Sequence, residues 1–472
     1  MVIKFGTDGW RAIMAKEFTF ANVEIVVQAI ANYLKEADTP GEGVVIGYDN
    51  RFLSPEFAAR AAEVLAGNGF QVLMGKKVMP TPVTAFAVVQ EKAKGALMFT
   101  ASHNPPTYNG VKFIPYYGGP ALPEVTAKLE AQLKNVEAGG DINGLHYEEG
   151  IEAGVIREID PKEKYLEHLL TLVDGEAISR AGLSLAVDPM FGAGVGYLDE
   201  LLIRLNCGVK TIHNCRDPLF GGKMPEPSPK VLEELISVVQ EGEEIALGLA
   251  LDGDGDRFGI IDREGVFITP NQVLSLLFVH LLKKGLRGPV SKTVSTTQIL
   301  NRIAAKHGLE TLETPVGFKY IGQNLMEHGC VIGGEESGGL SIKGHMPEKD
   351  GILACLLMVE LLAVERTNPA DLLARIEEEY GVLVNERLDL HCTHVEKERI
   401  LNLLEEWRPG QLGNKDIINY GTMDGLKLVC ADGSWVLIRP SGTEPMFRIY
   451  GETETWEELR VLQQEVRQVL EI

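Results

Sequence analysis

The stretch Gly95-Ala96-Leu97-Met98-Phe99-Thr100-Ala101-Ser102-His103-Asn104-Pro105 reads as a buried strand that ends abruptly in polar residues. The small and apolar run 95–99 gives the strand, and Asn104-Pro105-Pro106 stops any regular structure. A serine is thereby presented just past the carboxyl end of a strand, the edge at which open α/β sheets bind their ligands. Ser, Asn and Pro are also ordinary turn residues, so the stretch by itself allows a turn serine or a reactive one.

Outward from it the pattern recurs. Upstream, 44–48 and 70–74 read as strands, with helices over about 21–36, 54–66 and from Pro80-Thr81-Pro82 onward. Ser54 is placed as an N-cap with Pro55 at the first helical position. Strands alternating with helices predict βαβ units and a mostly parallel sheet. Downstream, Asn109-Gly110 predicts a two-residue hairpin turn that folds Lys112 back beside Ser102, although a solvated surface lysine fits the same sequence.

Twice more an apolar strand ends in an unusual loop. Strand 245–251 runs into Asp252-Gly253-Asp254-Gly255-Asp256-Arg257, and 330–332 into Gly333-Gly334-Glu335-Glu336-Ser337-Gly338-Gly339. The element order recurs although the sequences do not match. The expected fold class is therefore α/β: three consecutive α/β domains with mixed, mostly parallel sheets, over 1–150, 151–256 and 257–368. A polar segment, 135–152, is read as the first inter-domain connection. Residues 369–472 change character, with helices over 398–406 and 456–470 and strands at 435–438 and 446–450, and predict a smaller C-terminal α+β domain.

The chain of 472 residues carries a net charge of −22, with 45% hydrophobic and 24% charged residues. That balance suits a folded, soluble protein of several domains. Its acidic surface makes nucleic acid or an anionic membrane a poor partner. An anionic ligand then needs a local basic pocket, which gives weight to Arg and Lys clustered in loops. The longest apolar runs, 273–282 and 352–364, are too short or too interrupted to span a bilayer and read as buried helices. None of the six cysteines forms a Cys-x-x-Cys pair, and the first residues carry no signal-peptide pattern. Reduced thiols in a cytoplasmic enzyme are the expectation.

Asp252, Asp254 and Asp256 alternate with glycine only, and three such carboxylates repel one another unless a cation sits among them. The glycines let the backbone turn the side chains toward one point. An EF-hand is excluded, because its sixth and twelfth positions require Gly and Glu, where this chain has Arg257 and Arg263. A solvated acidic turn competes, but the apolar strand in front favours Mg²⁺ with open positions for a phosphate oxygen. Arg257 could share that phosphate. Arg439-Pro440-Ser441-Gly442-Thr443 offers a guanidinium fork, two hydroxyls and a glycine that permits a nest of backbone N–H groups. A tight hairpin turn would use the same residues. Glu335 and Ser337, framed by glycines, suit a sugar diol or a turn leading into a helix. Phe5-Gly6-Thr7-Asp8-Gly9-Trp10-Arg11 is either a plain turn or a loop that delivers Arg11 to a site. A serine nucleophile, a divalent cation, a phosphate clamp and a hydroxyl reader together point to phosphoryl transfer on a small-molecule phosphosugar, which needs positioning and charge neutralisation above all.

Four motifs in order, Thr100 to Pro105, Asp252 to Arg257, Gly334 to Gly339 and Arg439 to Pro445, resemble those of the α-D-phosphohexomutase superfamily across essentially the whole chain. The resemblance implies four domains around a deep central cleft. It implies that Ser102 is carried as a phosphoserine whose phosphate joins Asp252, Asp254 and Asp256 around Mg²⁺, with glucose 1,6-bisphosphate as intermediate and activator. Arg439, Ser441, Gly442 and Thr443 match the family's phosphate clamp, and Glu335 and Ser337 its hydroxyl readers. Arg11, His103, Lys112, Arg257 and Lys319 fall among its acid/base and electrostatic helpers. Gly255 departs from the Asp-Gly-Asp-Ala-Asp-Arg usual in phosphoglucosamine mutases. Glu336 and Gly339 depart from the Gly-Glu-Met-Ser-Gly-His of dual phosphomannomutase/phosphoglucomutases. With Gly317-Phe318-Lys319 and Lys349-Asp350-Gly351, the sugar loop looks more like that of phosphoglucomutases. The implied reaction is interconversion of glucose 1-phosphate and glucose 6-phosphate. Phosphomannomutase activity, phosphoglucosamine mutase activity and an inactive sugar-phosphate-binding protein are the alternatives.

Overall fold

A computed structural model describes residues 3–6, 8–242, 244–441 and 445–471. Four sheets follow one another along the chain. The first has the spatial order Trp10–Ile13, Tyr108–Pro115, Gly95–Phe99, Val44–Tyr48, Val72–Gly75, Ile156–Ile159. The second runs Phe267–Ile268, Phe258–Asp262, Ile245–Leu251, Ser184–Asp188, Gly208–Thr211, and the third Thr311–Thr314, Val290–Thr293, Ile332–Gly334, Leu340–Ile342. The fourth, from Val384 to Thr453, is antiparallel in every pairing and carries helices His394–Glu406 and Trp456–Leu470.

The first three sheets share one local topology. The strand before each special loop pairs parallel with an earlier strand of its own sheet on one side. On the other side it pairs antiparallel with the strand that leaves the loop. The Ser102, Asp252–Arg257 and Glu335–Gly339 loops are thus the same hairpin corner, built three times at the carboxyl end of a buried strand. The largest apolar core draws on all three sheets, with Met98, Leu251 and Ile332 among its members. Helix Gly351–Glu365 runs through it, buried from Gly351 to Ala363 as a helix apolar on nearly every face must be, with its one charge in that span, Glu360, paired with His280 and Lys284. Among the described residues no helix is long and apolar enough to cross a membrane, and all six cysteines are unpaired.

Three local expectations are corrected. Asn109 and Gly110 are not a turn: both lie inside strand Tyr108–Pro115, and the corner of the hairpin is the Ser102 loop itself. Glycine is needed at 110 for closeness, because a Cβ there would lie 2.6 Å from Thr100 O and 2.7 Å from Trp10 O. Ser54 does not cap its helix; Leu53 stands at the cap, and the Ser54 hydroxyl donates instead to Asp49 Oδ1 at 2.8 Å. The sheets also move the joins between units. Strands Phe258–Asp262 and Phe267–Ile268 belong to the second sheet, not the third unit, because the loop from Asp252 to Arg257 is too short for a crossover and the chain must return antiparallel. Strand Ile156–Ile159 closes the first sheet beside Val72–Gly75, so the polar stretch before it folds back on the first unit, with Leu145 N donating to Glu63 O.

Candidate active site

Ser102 is buried and takes a left-handed backbone, φ +49°, unusual for a residue with a Cβ. Its N–H donates to Thr100 Oγ1 at 2.9 Å. The wider loop is wrapped around one guanidinium. Arg51, fully buried, donates to the carbonyls of Ser102 (2.6 Å), Asn104 (2.7 Å), Pro105 (2.8 Å) and Tyr108 (3.0 Å), and its Nε lies 3.3 Å from Asp49 Oδ2. Phe220 of the second unit stacks on that guanidinium, 4.9 Å from ring centroid to Cζ.

The Asp loop meets the serine loop directly. Ser102 Oγ donates to Asp252 Oδ2 at 2.9 Å, and His103 Nδ1 lies 3.3 Å from the same hydroxyl. Gly253 is required for the approach, since a Cβ there would sit 2.6 Å from Ser102 O. Gly253→Ala therefore pushes the two loops apart. We expect a loss of about 1–3 kcal/mol in urea unfolding, together with a fall in kcat.

Asp252, Asp254 and Asp256 are buried, and one ligand atom from each lies within 4.8 Å of the others. Asp254 Oδ1 and Asp256 Oδ1 have no hydrogen-bond partner among the described residues. Buried carboxylate oxygens left without donors fit a hard, oxygen-liganded cation such as Mg²⁺. Burial, then repulsion from Asp254 and Asp256, raises the Asp252 carboxyl well above its ordinary range. Burial would raise Asp254 too, but Lys112 and the Thr81 hydroxyl outweigh it and hold it low.

Lys112 projects from the strand opposite Met98 into this cluster, 2.9 Å from Asp254 Oδ2, 2.9 Å from Asp256 Oδ2 and 3.0 Å from Asp8 Oδ2. Burial alone would lower its pKa, yet the three carboxylates raise it well above the ordinary lysine value. Lys349 Nζ approaches the same cluster, 3.3 Å from Asp256 Oδ2 and 3.7 Å from Asp8 Oδ2, while bonding Glu348 at 3.0 Å.

The other sequence candidates divide. Arg11 is at this centre, donating to Asn104 Oδ1 at 2.9 Å and 3.4 Å from Asp8 Oδ2. His103 is held well below its usual pKa by burial and then by Arg257 and Arg11, so it is neutral at pH 7. The Arg257 N–H closes the Asp loop on Asp252 Oδ1 at 3.0 Å, and its side chain lies 3.9 Å from Glu226. Glu335 accepts the Gly317 N–H at 3.0 Å, and burial followed by the neighbouring Glu336 pushes its pKa up to about 7. Ser337 is half-buried in the same loop, and Lys319 stands in the first turn of helix Phe318–His328, its pKa lowered by burial. Arg439 pairs through Nε with Asp424 Oδ2 at 2.8 Å, and Ser441 O accepts from Lys397 at 2.6 Å. Gly442 and Thr443 lie outside the described residues.

Sequence reasoning missed Asp8, Arg51 and Lys349 as parts of this centre. Asp8 and Lys349 stand in stretches already singled out, Phe5 to Arg11 and Lys349-Asp350-Gly351, but nothing local in either assigns that residue to the carboxylate cluster. Arg51 does carry a local signal: a polar triplet with two opposite charges at the end of a fully buried strand, Asp49-Asn50-Arg51, stands at the ligand-binding edge.

Comparison with known proteins follows this geometry. The chain matches the family described as phosphoglucomutase/phosphomannomutase in each of its parts: alpha/beta/alpha domain I over residues 2–139, domain II over 163–265, domain III over 269–380 and the C-terminal domain over 361–469. It is 30% identical over 457 residues to a phosphoglucomutase/phosphomannomutase of Thermococcus kodakarensis, covering 97% of this chain and 96% of the relative. It is 29% identical over 469 residues to a phosphoglucosamine/phosphogalactosamine mutase of Sulfurisphaera tokodaii, covering 99% of each. A solved structure from Thermus thermophilus, described as a phosphomannomutase, superposes with a TM-score of 0.87 at 35% identity over the full length of both chains.

Proposed function

The chain belongs to the phosphoglucomutase/phosphomannomutase family within the α-D-phosphohexomutase superfamily, and from that premise we propose that this phosphohexomutase is a Mg²⁺-dependent phosphoglucomutase. The observation that carries the reading is the contact of the Ser102 hydroxyl with Asp252 at the lip of three buried carboxylates. Ser102 carries the phosphate. In the first half-reaction the P–Oγ bond breaks and a P–O bond forms to the free hydroxyl of a hexose monophosphate. The hydroxyl proton ends on Ser102 Oγ, relayed by the neutral imidazole of His103. Glucose 1,6-bisphosphate then turns end for end and returns its other phosphate to Ser102.

Asp252, Asp254 and Asp256 would hold Mg²⁺, which supplies charge neutralisation for the phosphoryl group in flight. Lys112, Lys349 and Arg11 add positive charge on the same side of the site, and Lys112, held as the ammonium, is a charge donor and not the base. Glu335 and Ser337 read the sugar hydroxyls with Lys319 nearby. Arg439 with Ser441, Gly442 and Thr443 grips the phosphate that is not reacting. The preference for glucose rests on Gly-Glu-Glu-Ser at 334–337 and on Gly317-Phe318-Lys319. Relatives named for mannose and for amino sugars make those the competing substrates.

Measuring kcat/KM for glucose 1-phosphate, mannose 1-phosphate and glucosamine 1-phosphate, each with its bisphosphate, decides between them. Glucose is expected to lead by about tenfold or more; an absence of glucose 1-phosphate turnover would overturn the assignment.

A further inference from the structure

Asp424 stands at the corner between strands Lys415–Gly421 and Leu426–Cys430 of the fourth sheet, in the sequence Met423-Asp424-Gly425. Gly425 has φ +98°, and a Cβ there would lie 3.0 Å from Arg439 Cα, so the corner is pressed against the strand that carries Arg439. One carboxylate oxygen then does two things. Asp424 Oδ2 accepts from Arg439 Nε at 2.8 Å and from the backbone N–H of Val316 at 3.0 Å. The next residue along, Gly317, donates its own N–H to Glu335 Oε1 at 3.0 Å. An unbroken run of hydrogen bonds and the backbone of one residue, Val316, therefore joins Arg439 of the fourth sheet to Glu335 of the third.

A turn aspartate with a purely local role bonds the backbone of its own hairpin. Asp424 instead reaches into another unit, and it orients an arginine whose bond at Nε fixes the plane of the guanidinium and the direction of its terminal nitrogens. A mutase has a specific need for such a link. It must read the same sugar from either end, so the spacing between the group that holds the idle phosphate and the group that reads the hydroxyls has to be the same in both half-reactions.

Resting on the phosphosugar reading above, we infer that Asp424 is a positioning residue that couples the phosphate clamp at Arg439 to the sugar-hydroxyl reader Glu335, so that a hexose monophosphate is recognised as one rigid unit. Substrate loses both contacts in register when that coupling is cut, while the chemistry at Ser102 is left in place.

The test is steady-state kinetics in both directions, with glucose 1-phosphate and with glucose 6-phosphate, on the full chain and on Asp424→Asn, Asp424→Ala, Glu335→Gln and the Asp424→Ala/Glu335→Gln double variant. Asp424→Ala is expected to raise KM about tenfold or more for both substrates, the scale of one lost charge-assisted hydrogen bond, with kcat changed by less than about threefold. Asp424→Asn, whose amide oxygen still accepts from Val316, is expected to fall between Asp424→Ala and the parent. The double variant is expected to lose less than the product of the two single losses. KM within about twofold of the parent in both Asp424 variants, or strictly multiplicative losses, overturns the coupling. A lowered Tm with unchanged KM does the same, since it marks a turn residue only. If the parent turns over mannose or glucosamine phosphate in place of glucose phosphate, the glucose assignment fails and the Asp424 comparison is made on the sugar used. Calorimetric Kd values for that sugar phosphate give the same comparison without turnover.

Discussion

Ser102→Ala lowers kcat/KM for the hexose phosphate by about 10⁴-fold or more and leaves the protein folded. In the proposed mechanism the oxygen removed is the one to which the travelling phosphate is bonded, and the neighbouring Thr100 Oγ1 is engaged by the Ser102 N–H. The structural cost is small, because the substitution removes only the hydroxyl's bond to Asp252 Oδ2 and its longer contact with His103 Nδ1, each worth about 1 kcal/mol. Alanine also still accepts the Arg51 bonds, which go to main-chain carbonyls. A coupled assay started with glucose 1,6-bisphosphate reads the loss, and activity within about tenfold of the parent would place the carrier elsewhere.

Lys112→Met is expected to be the most destabilising single change in the site, at about 3–5 kcal/mol in metal-free protein. It removes the cation that Asp8, Asp254 and Asp256 share, and leaves the buried Asp254 and Asp256 and the partly buried Asp8 with Lys349, 3.3 Å from Asp256 and 3.7 Å from Asp8, as the ammonium still beside them. The pH dependence has a defined sign. Asp8 would be raised by burial, but Lys112, Lys349 and Arg11 hold it well below its usual range, as Lys112 does for Asp254. Groups with a lowered folded pKa stabilise above their unfolded pKa, about 3.9, and lose that contribution as pH falls. Lys112 has a raised folded pKa, so its own contribution is complete below about 10.5 and is lost as pH rises further. The difference between the parent and Lys112→Met is therefore full from about pH 5 to pH 9 and shrinks below about pH 4. Urea unfolding in chelator across that range checks it; a difference that grows on acidification contradicts the assignment of Lys112 as the partner of these carboxylates.

How much of this was legible in the sequence depends on how local the cause is. The Ser102 and Asp252–Asp256 loops could be read directly, since a buried strand, its end and its chemistry all lie within a dozen residues. The shared topology of three sheets followed from the same strand-then-loop order. Arg51 was harder, because what it holds is backbone: carbonyls at 102, 104, 105 and 108, about fifty residues away, which carry no side-chain signature. Lys112 was legible as a candidate beside Ser102, but its carboxylate partners were not, and Asp8 and Lys349 come from two further stretches and join the site only when folding sets them around Asp256 or beside it. Asn109-Gly110 misled for a steric reason: the glycine serves a close approach between strands and not a turn. The joins between units misled because strands Ile156–Ile159 and Phe258–Asp262 take their sheet from pairing partners far along the chain or across a short loop.

The central claim is that Ser102 is loaded and unloaded once in each turnover. The direct measurement treats the protein with glucose 1,6-bisphosphate, removes the small molecules, and locates phosphate in the tryptic peptide 95–112 by fragment mass. A portion is then chased with glucose 1-phosphate. The account predicts one phosphate per chain, on Ser102, absent from Ser102→Ala, and its transfer to the added sugar as bisphosphate within a single turnover time. Phosphate on another residue, or a phosphoserine that the sugar does not discharge, would contradict it.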